Sequence, residues 1–233
     1  MDESVGYAQF CPVAMASELL CTRWTALVVR ELLAGSRRFN ELRQGVARMS
    51  PALLSKRLKE LERAGVIVRT TGANGAPPEY LLTQAGRDLR PFVEALGLWG
   101  QRWVEARATL RRLDPSLLMW DMRRNLDPTP LPPARRTIQF RYPELAPPRR
   151  CWWVVVEPGA PVDVCSVDPG FEVDLYVVST LRSMTAIWMG LATVKGEVEA
   201  GNLELVGDPQ LKDSMQTWLG LSPFAKEPKL AAA

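Results

Sequence analysis

Hydrophobic positions follow two different periods along this chain, helical in its first half and mostly strand-like after residue 134. CPVAMASELL (11–20) and RWTALVVRELLAG (23–35) carry apolar residues at helical spacing, and Gly35 suits the end of the second helix. FNELRQGV (39–46) reads as a brief third helix. In SPALLSKRLKELERAG (50–65), a turn of about 100° per residue puts Leu54, Leu58 and Leu61 on one side, flanked by Leu53 and Ala64. Lys56, Lys59 and Arg63 fall opposite, with Ala52 and Ser55. Ser50 suits the N-cap, Pro51 the first helical position, and Gly65 the left-handed residue past the end.

VIVRTT (66–71) and EYLLT (79–83) are short β-branched or alternating runs separated by the turn-rich GANGAPP (72–78), which predicts a hairpin. A long helix is expected from about Gln84 to Leu110, with Phe92, Leu96, Trp99, Trp103 and Ala106 in a stripe and a kink at Pro91. DPSLLMWDMRRNL (114–126) reads as another helix, and DPTPLPPA (127–134) breaks the chain. Strands are expected at 135–142, 151–158, 161–167 and 171–179. Helices follow at 180–190 and 191–201, then a strand NLELVG and a last helix at 208–220. This order predicts an α+β fold class: a helical domain with a hairpin at 1–112, then an α+β domain at 113–228 whose sheet is covered on one face. KLAAA (229–233) has the look of an expression-vector remnant with no expected part in the fold.

Short helix, basic helix and hairpin in succession describe a helix-turn-helix with a wing, in which the second helix enters the major groove and the first braces it. Charge sharpens that picture. Residues 1–112 carry 17 Lys and Arg against 11 Asp and Glu, and nine of those basic residues lie between Arg37 and Arg69 beside only Glu41, Glu60 and Glu62. A local basic patch on a protein of net charge +3 predicts a polyanionic partner at one place, double-stranded DNA. Ser50, Ala52, Ser55, Lys56 and Lys59 are the candidates for groove contact, and Arg63, nearer the far end, for phosphate. Arg37, Arg38 and Arg43 would grip the backbone from the brace helix. Arg57 sits near the apolar side, where a structural role and a phosphate contact are equally open. The wing offers only Arg69, on a strand.

The chain contains no histidine, which removes the commonest general base and a common metal ligand, so an enzyme is not expected and no cofactor is implied. Asp163, Asp168 and Asp174 are what an enzymatic reading would have to use. Cys11, Cys21, Cys151 and Cys165 show no C-x-x-C spacing, and a zinc site would need all four to converge from two distant regions, so most of them are expected to be small buried hydrophobes. No apolar run approaches the roughly 20 residues that span a bilayer. The opening MDESVGYAQF lacks a secretory pattern, so a cytoplasmic location with no membrane partner is the expectation.

From CPV through RWTALVVRELLAGSRRFNELRQGVARMSPALLSKRLKELERAGVIVRT to PPEYLLTQAG, the chain resembles the HxlR-type family of bacterial winged-helix regulators, relatives of the MarR type, over residues 11 to about 105. That resemblance implies a homodimer, held by the N-terminal helix and the long helix after the wing, binding an inverted repeat; the expectation for the whole chain is a repressor of a palindromic operator. It also matches Cys11 to the N-terminal cysteine of redox-sensing members, with an inert thiol as the alternative. In the second half, DPGFEVDLYV, the helix ending WMG, and VEAGNLELVGD resemble the sterol carrier protein domain. This second resemblance implies an apolar tunnel for a hydrophobic or aromatic small-molecule effector. Trp120, Phe140, Trp152, Trp153, Tyr176, Met184, Trp188, Met215 and Trp218 are its candidate lining. The remaining readings are a lipid carrier that uses its winged helix to bind protein, and a second domain that has lost its tunnel and only steadies the dimer.

Overall fold

The computed structural model describes residues 6–71, 77–105, 110–111 and 113–231. Two compact units divide the chain, Met1–Leu96 and Gly97–Ala233.

The first unit contains helices α1 (Pro12–Leu20), α2 (Thr25–Leu33), α3 (Phe39–Gly45) and α4 (Pro51–Arg63), strands β1 (Ile67–Thr70) and β2 (Glu79–Leu82), α5 (Gln84–Arg87) and the first half of α6 (Arg90–Trp103). Strands β1 and β2 pair antiparallel, with Ile67 opposite Leu82 and Thr70 opposite Glu79. A third segment joins them: the Tyr80 amide donates to the Arg37 carbonyl at 2.8 Å, and Arg38 bridges to Glu79. The expected hairpin is therefore tied to the residues ahead of α3. Its tip, residues 72–76, lies outside the described residues.

Val28, Val29 and Leu32 of α2, Leu42 of α3, Leu54, Leu58 and Leu61 of α4, and Ile67 of β1 form one buried core. The helical spacing of the leucines in α4 produces this directly, because residues 54, 58 and 61 share one side of the helix. Gly65 then takes φ +70°, so the chain leaves α4 at the left-handed position that a side chain would strain.

The continuous kinked helix expected at 84–110 is instead two. One turn, α5, ends at Arg87, and α6 starts at Arg90 with Pro91 as its second residue. Proline cannot donate inside a helix, and its ring clashes with the carbonyl four residues back, so Pro91 begins a helix more readily than it bends one. Helix α6 ends at Trp103, and residues 106–109, including Ala106 of the expected stripe, lie outside the described residues.

The second unit has a five-stranded mixed sheet in the order β5-β4-β3-β6-β7, from β3 (Arg136–Arg141), β4 (Cys151–Val156), β5 (Asp163–Cys165), β6 (Leu175–Ser179) and β7 (Leu203–Gly207). Strands β3 and β6 pair parallel and the other neighbours antiparallel. Alternation along the strands sends Ile138, Phe140, Trp152, Val154, Leu175, Val177 and Leu203 to one face. There they meet α7 (Pro115–Asn125), α9 (Leu181–Trp188), α10 (Val194–Glu199), α11 (Pro209–Asp213) and α12 (Met215–Trp218). The single helix expected at 208–220 is broken at Ser214, and a one-turn α8 (Pro147–Arg150) precedes β4.

The division at Leu96 differs from the composition change near residue 112 because the second half of α6 packs within the second unit. The Phe224 ring fills the space beside Gly97, where an added Cβ would come within 2.3 Å of it. Gln101 donates to the Met189 carbonyl at 3.4 Å, and Arg102 pairs with Glu227 at 2.6 Å. Residues of the KLAAA tail, expected to play no part, contribute as well. The Leu230 and Ala231 amides donate to the Arg102 carbonyl at 2.8 and 2.9 Å, and Lys229 Nζ donates to the Val104 carbonyl at 2.6 Å.

Candidate nucleic-acid interface

Helix α4 is fixed at its start by Ser50, whose hydroxyl accepts from the Leu53 amide at 3.3 Å. Burial of Leu54, Leu58 and Leu61 leaves Ala52, Lys56, Lys59 and Arg63 as a solvent-facing row, with Ser50 also exposed and Ser55 half-buried. Arg37 and Arg43 are exposed near and on α3, and Arg69 on β1. Lys56, Lys59, Arg63, Arg37, Arg43 and Arg69 make no ion pair among the described residues, so their charge is available to a partner. Arg48, in the turn between α3 and α4, is exposed and unpaired in the same way. Arg48 belongs to the basic patch of the sequence without standing out in it; its place two residues before the Ser50 cap is the signal that points to it.

Two arginines differ from the others. Arg38 pairs with Glu79 on the wing at 3.5 Å. Arg57 is mostly buried: its Nε donates to the Arg23 carbonyl at 3.3 Å and its Nη1 to Glu60. These contacts tie α4 to the link between α1 and α2. That link is itself constrained, since Trp24 adopts φ +78°, a left-handed conformation that bulky side chains rarely hold, with the Arg23 guanidinium 5.4 Å from its ring.

The brace is set by a buried carboxylate. Glu31 of α2 is fully enclosed; it accepts from Arg30 Nε and Nη2 at 3.2 and 2.9 Å and from Ser36 at 3.4 Å, while Arg30 Nη2 also donates to the Gly45 carbonyl at 2.9 Å. Glu41 caps α3 by accepting from the amides of Arg37 and Arg38 at 2.8 and 3.0 Å. Together these contacts hold α3 against α2, and so hold the turn that launches α4.

The expectation that most of the cysteines are buried fails, because Cys21 is exposed and Cys11, Cys151 and Cys165 are only partly covered. Cys11 stands at the N-cap of α1, where the amides of Ala14 and then Val13 hold its thiol below the ordinary range. Cys165 shifts the other way, through burial and then the charge of Asp163. The aspartates an enzymatic reading would use make local bonds. Asp174 pairs with Arg136 at 2.9 Å and accepts from the Thr137 amide, Asp168 accepts from Gly170, and Asp163 accepts from Val164.

Of the residues expected to line a ligand tunnel, Phe140, Trp152, Met184, Trp188, Met215 and Trp218 are brought together in one buried cluster. Trp218 Nε1 donates to the Leu211 carbonyl at 2.7 Å within it. The other three stand apart. Trp120 stacks under Arg123 at 4.0 Å and Arg124 at 5.3 Å. Trp153 and Tyr176 alternate to the opposite face of the sheet, where Trp153 Nε1 has no hydrogen-bond partner among the described residues. Two cavities, of about 190 and 360 Å³, flank Phe171 on that opposite side and are lined by Val155 and Cys165 and by Arg135 and Thr137 respectively; none of the nine candidates lines either.

Residues 19–108 match the HxlR-like helix-turn-helix family. The chain is 37% identical over 100 residues to the uncharacterised HTH-type transcriptional regulator YvaP of Bacillus subtilis, covering 42% of this chain and 93% of YvaP. It is 34% identical to YdeP of the same organism, over 41% of this chain and 75% of YdeP. Among solved structures, the reduced form of the transcriptional regulator YodB from B. subtilis is 28% identical with a TM-score of 0.37, over 42% of this chain and 97% of YodB. The chain belongs to the HxlR-like helix-turn-helix family, whose members are DNA-binding transcriptional regulators and not enzymes.

Proposed function

We propose that the protein is a repressor that binds an inverted-repeat operator as a homodimer and releases it in response to a hydrophobic effector. The observation that carries the DNA contact is the row Ala52, Lys56, Lys59 and Arg63 on α4. It is exposed and free of ion pairs among the described residues, with Arg37, Arg43 and Arg48 around it. Arg38 and Arg69 serve on the wing side, and Ser50 and Ser55 at the groove end of α4. Dimerisation is supported by apolar side chains left in solvent on the two helices concerned. They are Val13 and Met15 of α1 with Phe10 just before it, and Phe92, Leu96, Trp99 and Trp103 of α6; Phe10 is 98% exposed and Trp99 59%. The test is footprinting on the protein's own upstream region: two protected half-sites about 34 Å apart are expected, and one unpaired half-site overturns the dimer.

The effector belongs to the second unit, which we read as sterol-carrier-like. A sheet with helices on one face supports that reading, as does a core that holds Met119, Met122, Met184 and Met215 in one cluster with Trp152, Trp188 and Trp218, since methionine repacks around a guest at small cost. Because this cluster is enclosed, a ligand would have to enter by displacing these side chains. Operator affinity measured against a library of aromatic and aliphatic ligands tests this, and no change with any of them overturns it.

A second reading makes Cys11 a redox sensor. The lowered thiol pKa at the start of α1 favours it, because the thiolate is the reactive form. Operator binding that survives oxidant in the parent as fully as in Cys11→Ser overturns it.

A further inference from the structure

The exposed row of α4 has a restricted chemistry, and that restriction determines which bases it can read. Lys56 and Lys59 carry only donors. In the major groove, two acceptors lie side by side only on guanine, at O6 and N7; adenine sets its N7 beside an amino donor, and thymine sets its O4 beside a methyl. An ammonium is therefore best received by guanine. The one arginine in the first two turns of the helix, Arg57, would be the usual forked reader of guanine, but it is committed to the Arg23 carbonyl and Glu60. No Asn, Gln, Asp or Glu lies in the row Ala52, Lys56, Lys59 and Arg63, so the amino groups of adenine and cytosine meet no acceptor from it. Ala52 presents a methyl group, whose only major-groove complement is the methyl of thymine.

Spacing along the helix orders these contacts. At 1.5 Å of rise per residue, Lys56 and Lys59 are about 4.5 Å apart and Ala52 and Lys56 about 6 Å. Against roughly 3.4 Å per base pair, those intervals are about one and about two base-pair steps. We infer that each operator half-site presents guanines on two adjacent base pairs to Lys56 and Lys59, with a thymine about two base pairs away toward the N-terminus of α4, met by Ala52. This inference rests on the groove docking proposed above, and it adds the identity of the bases read.

The experiment is selection of duplexes from a random pool by the full-length protein, followed by single-atom substitution in the selected half-site. Replacing either guanine of the pair by 7-deazaguanine removes the N7 acceptor and is expected to weaken binding roughly tenfold. Lys56→Ala is expected to lose sensitivity to one of the two guanines and Lys59→Ala to the other. Uracil in place of the thymine should weaken parent binding by about fourfold, the value of one buried methyl. Circular dichroism of both lysine variants establishes that they fold. Selected half-sites without guanines on adjacent base pairs overturn the inference, as does equal 7-deazaguanine sensitivity in parent and variants, although the docking of α4 would stand in either case. Failure to retain any duplex at low salt overturns both the docking and the inference.

Discussion

Replacing Gly45 with alanine tests whether the buried carboxylate of Glu31 sets the brace against which α4 is held. An added Cβ would lie 1.8 Å from Glu31 Cδ and 2.0 and 2.3 Å from its two oxygens, so the carboxylate must move. It has little freedom to do so, because it is fully enclosed and engaged by Arg30 and Ser36. Dislodging a buried charge from its partners costs about 3–5 kcal/mol. Alanine in place of a helical glycine returns about 1 kcal/mol. The net expectation is a loss of about 2–4 kcal/mol from the first unit. Native-state hydrogen exchange at the amides of Leu32 and Leu42 reads that unit separately from the second. Removing the obstacle supplies the control: Glu31→Ala combined with Gly45→Ala should cost less than the sum of the two single changes. A Gly45→Ala protein as stable as the parent, or a strictly additive pair, would show that Glu31 does not hold this site.

Three further outcomes follow from particular contacts. Arg57→Ala should lower stability by roughly 1 kcal/mol through loss of its bonds to Arg23 and Glu60 while leaving the salt slope of DNA binding unchanged; a slope reduced by about one would instead make Arg57 a phosphate contact. Tyr142 is fully buried with its hydroxyl on Met119 Sδ, and burial raises its pKa above the ordinary range, with Glu144 adding to the effect. The unfolded tyrosine ionises near pH 10 while the folded one does not, so its contribution is intact below that pH and falls by about 1.4 kcal/mol per unit above it. Tyr142→Phe should remove that part of the alkaline loss, as urea melts between pH 9 and 11 would show. Alkylation of Cys11 in the folded protein should have its midpoint at lower pH than the same thiol in denaturant, and coincident midpoints would contradict the role given to the amides of Ala14 and Val13.

The helix-turn-helix and its wing were legible because each piece follows from neighbours in sequence. Three leucines at helical spacing, a Ser-Pro start and a glycine stop define α4 almost completely, and the hairpin needs only two alternating runs around a turn. What the sequence could not show depends on residues distant along the chain. The bond from Arg57 to the Arg23 carbonyl spans 34 positions. The third segment of the wing comes from Arg37 and Arg38, which have no strand pattern of their own. In the second unit the strands were readable one by one, but the parallel pairing of β3 with β6 across β4 and β5 was not, because alternation carries no record of which strand lies beside which. The same gap explains the ligand candidates. An inventory of tryptophans and methionines names large side chains, and only the pleat of β4 separates Trp152 in the core from Trp153 on the other face.

The proposed reading of DNA by the exposed row of α4 is decided by comparing specific with non-specific affinity for one double variant. For Lys56→Ala with Lys59→Ala, binding is measured at one salt concentration to a duplex selected by the parent and to a random duplex of equal length. Two lost base contacts of about 1–3 kcal/mol each predict a fall in the specific-to-random ratio of roughly a hundredfold, with an unchanged circular dichroism spectrum because both side chains are exposed. A ratio equal to that of the parent would mean that Lys56 and Lys59 read no bases.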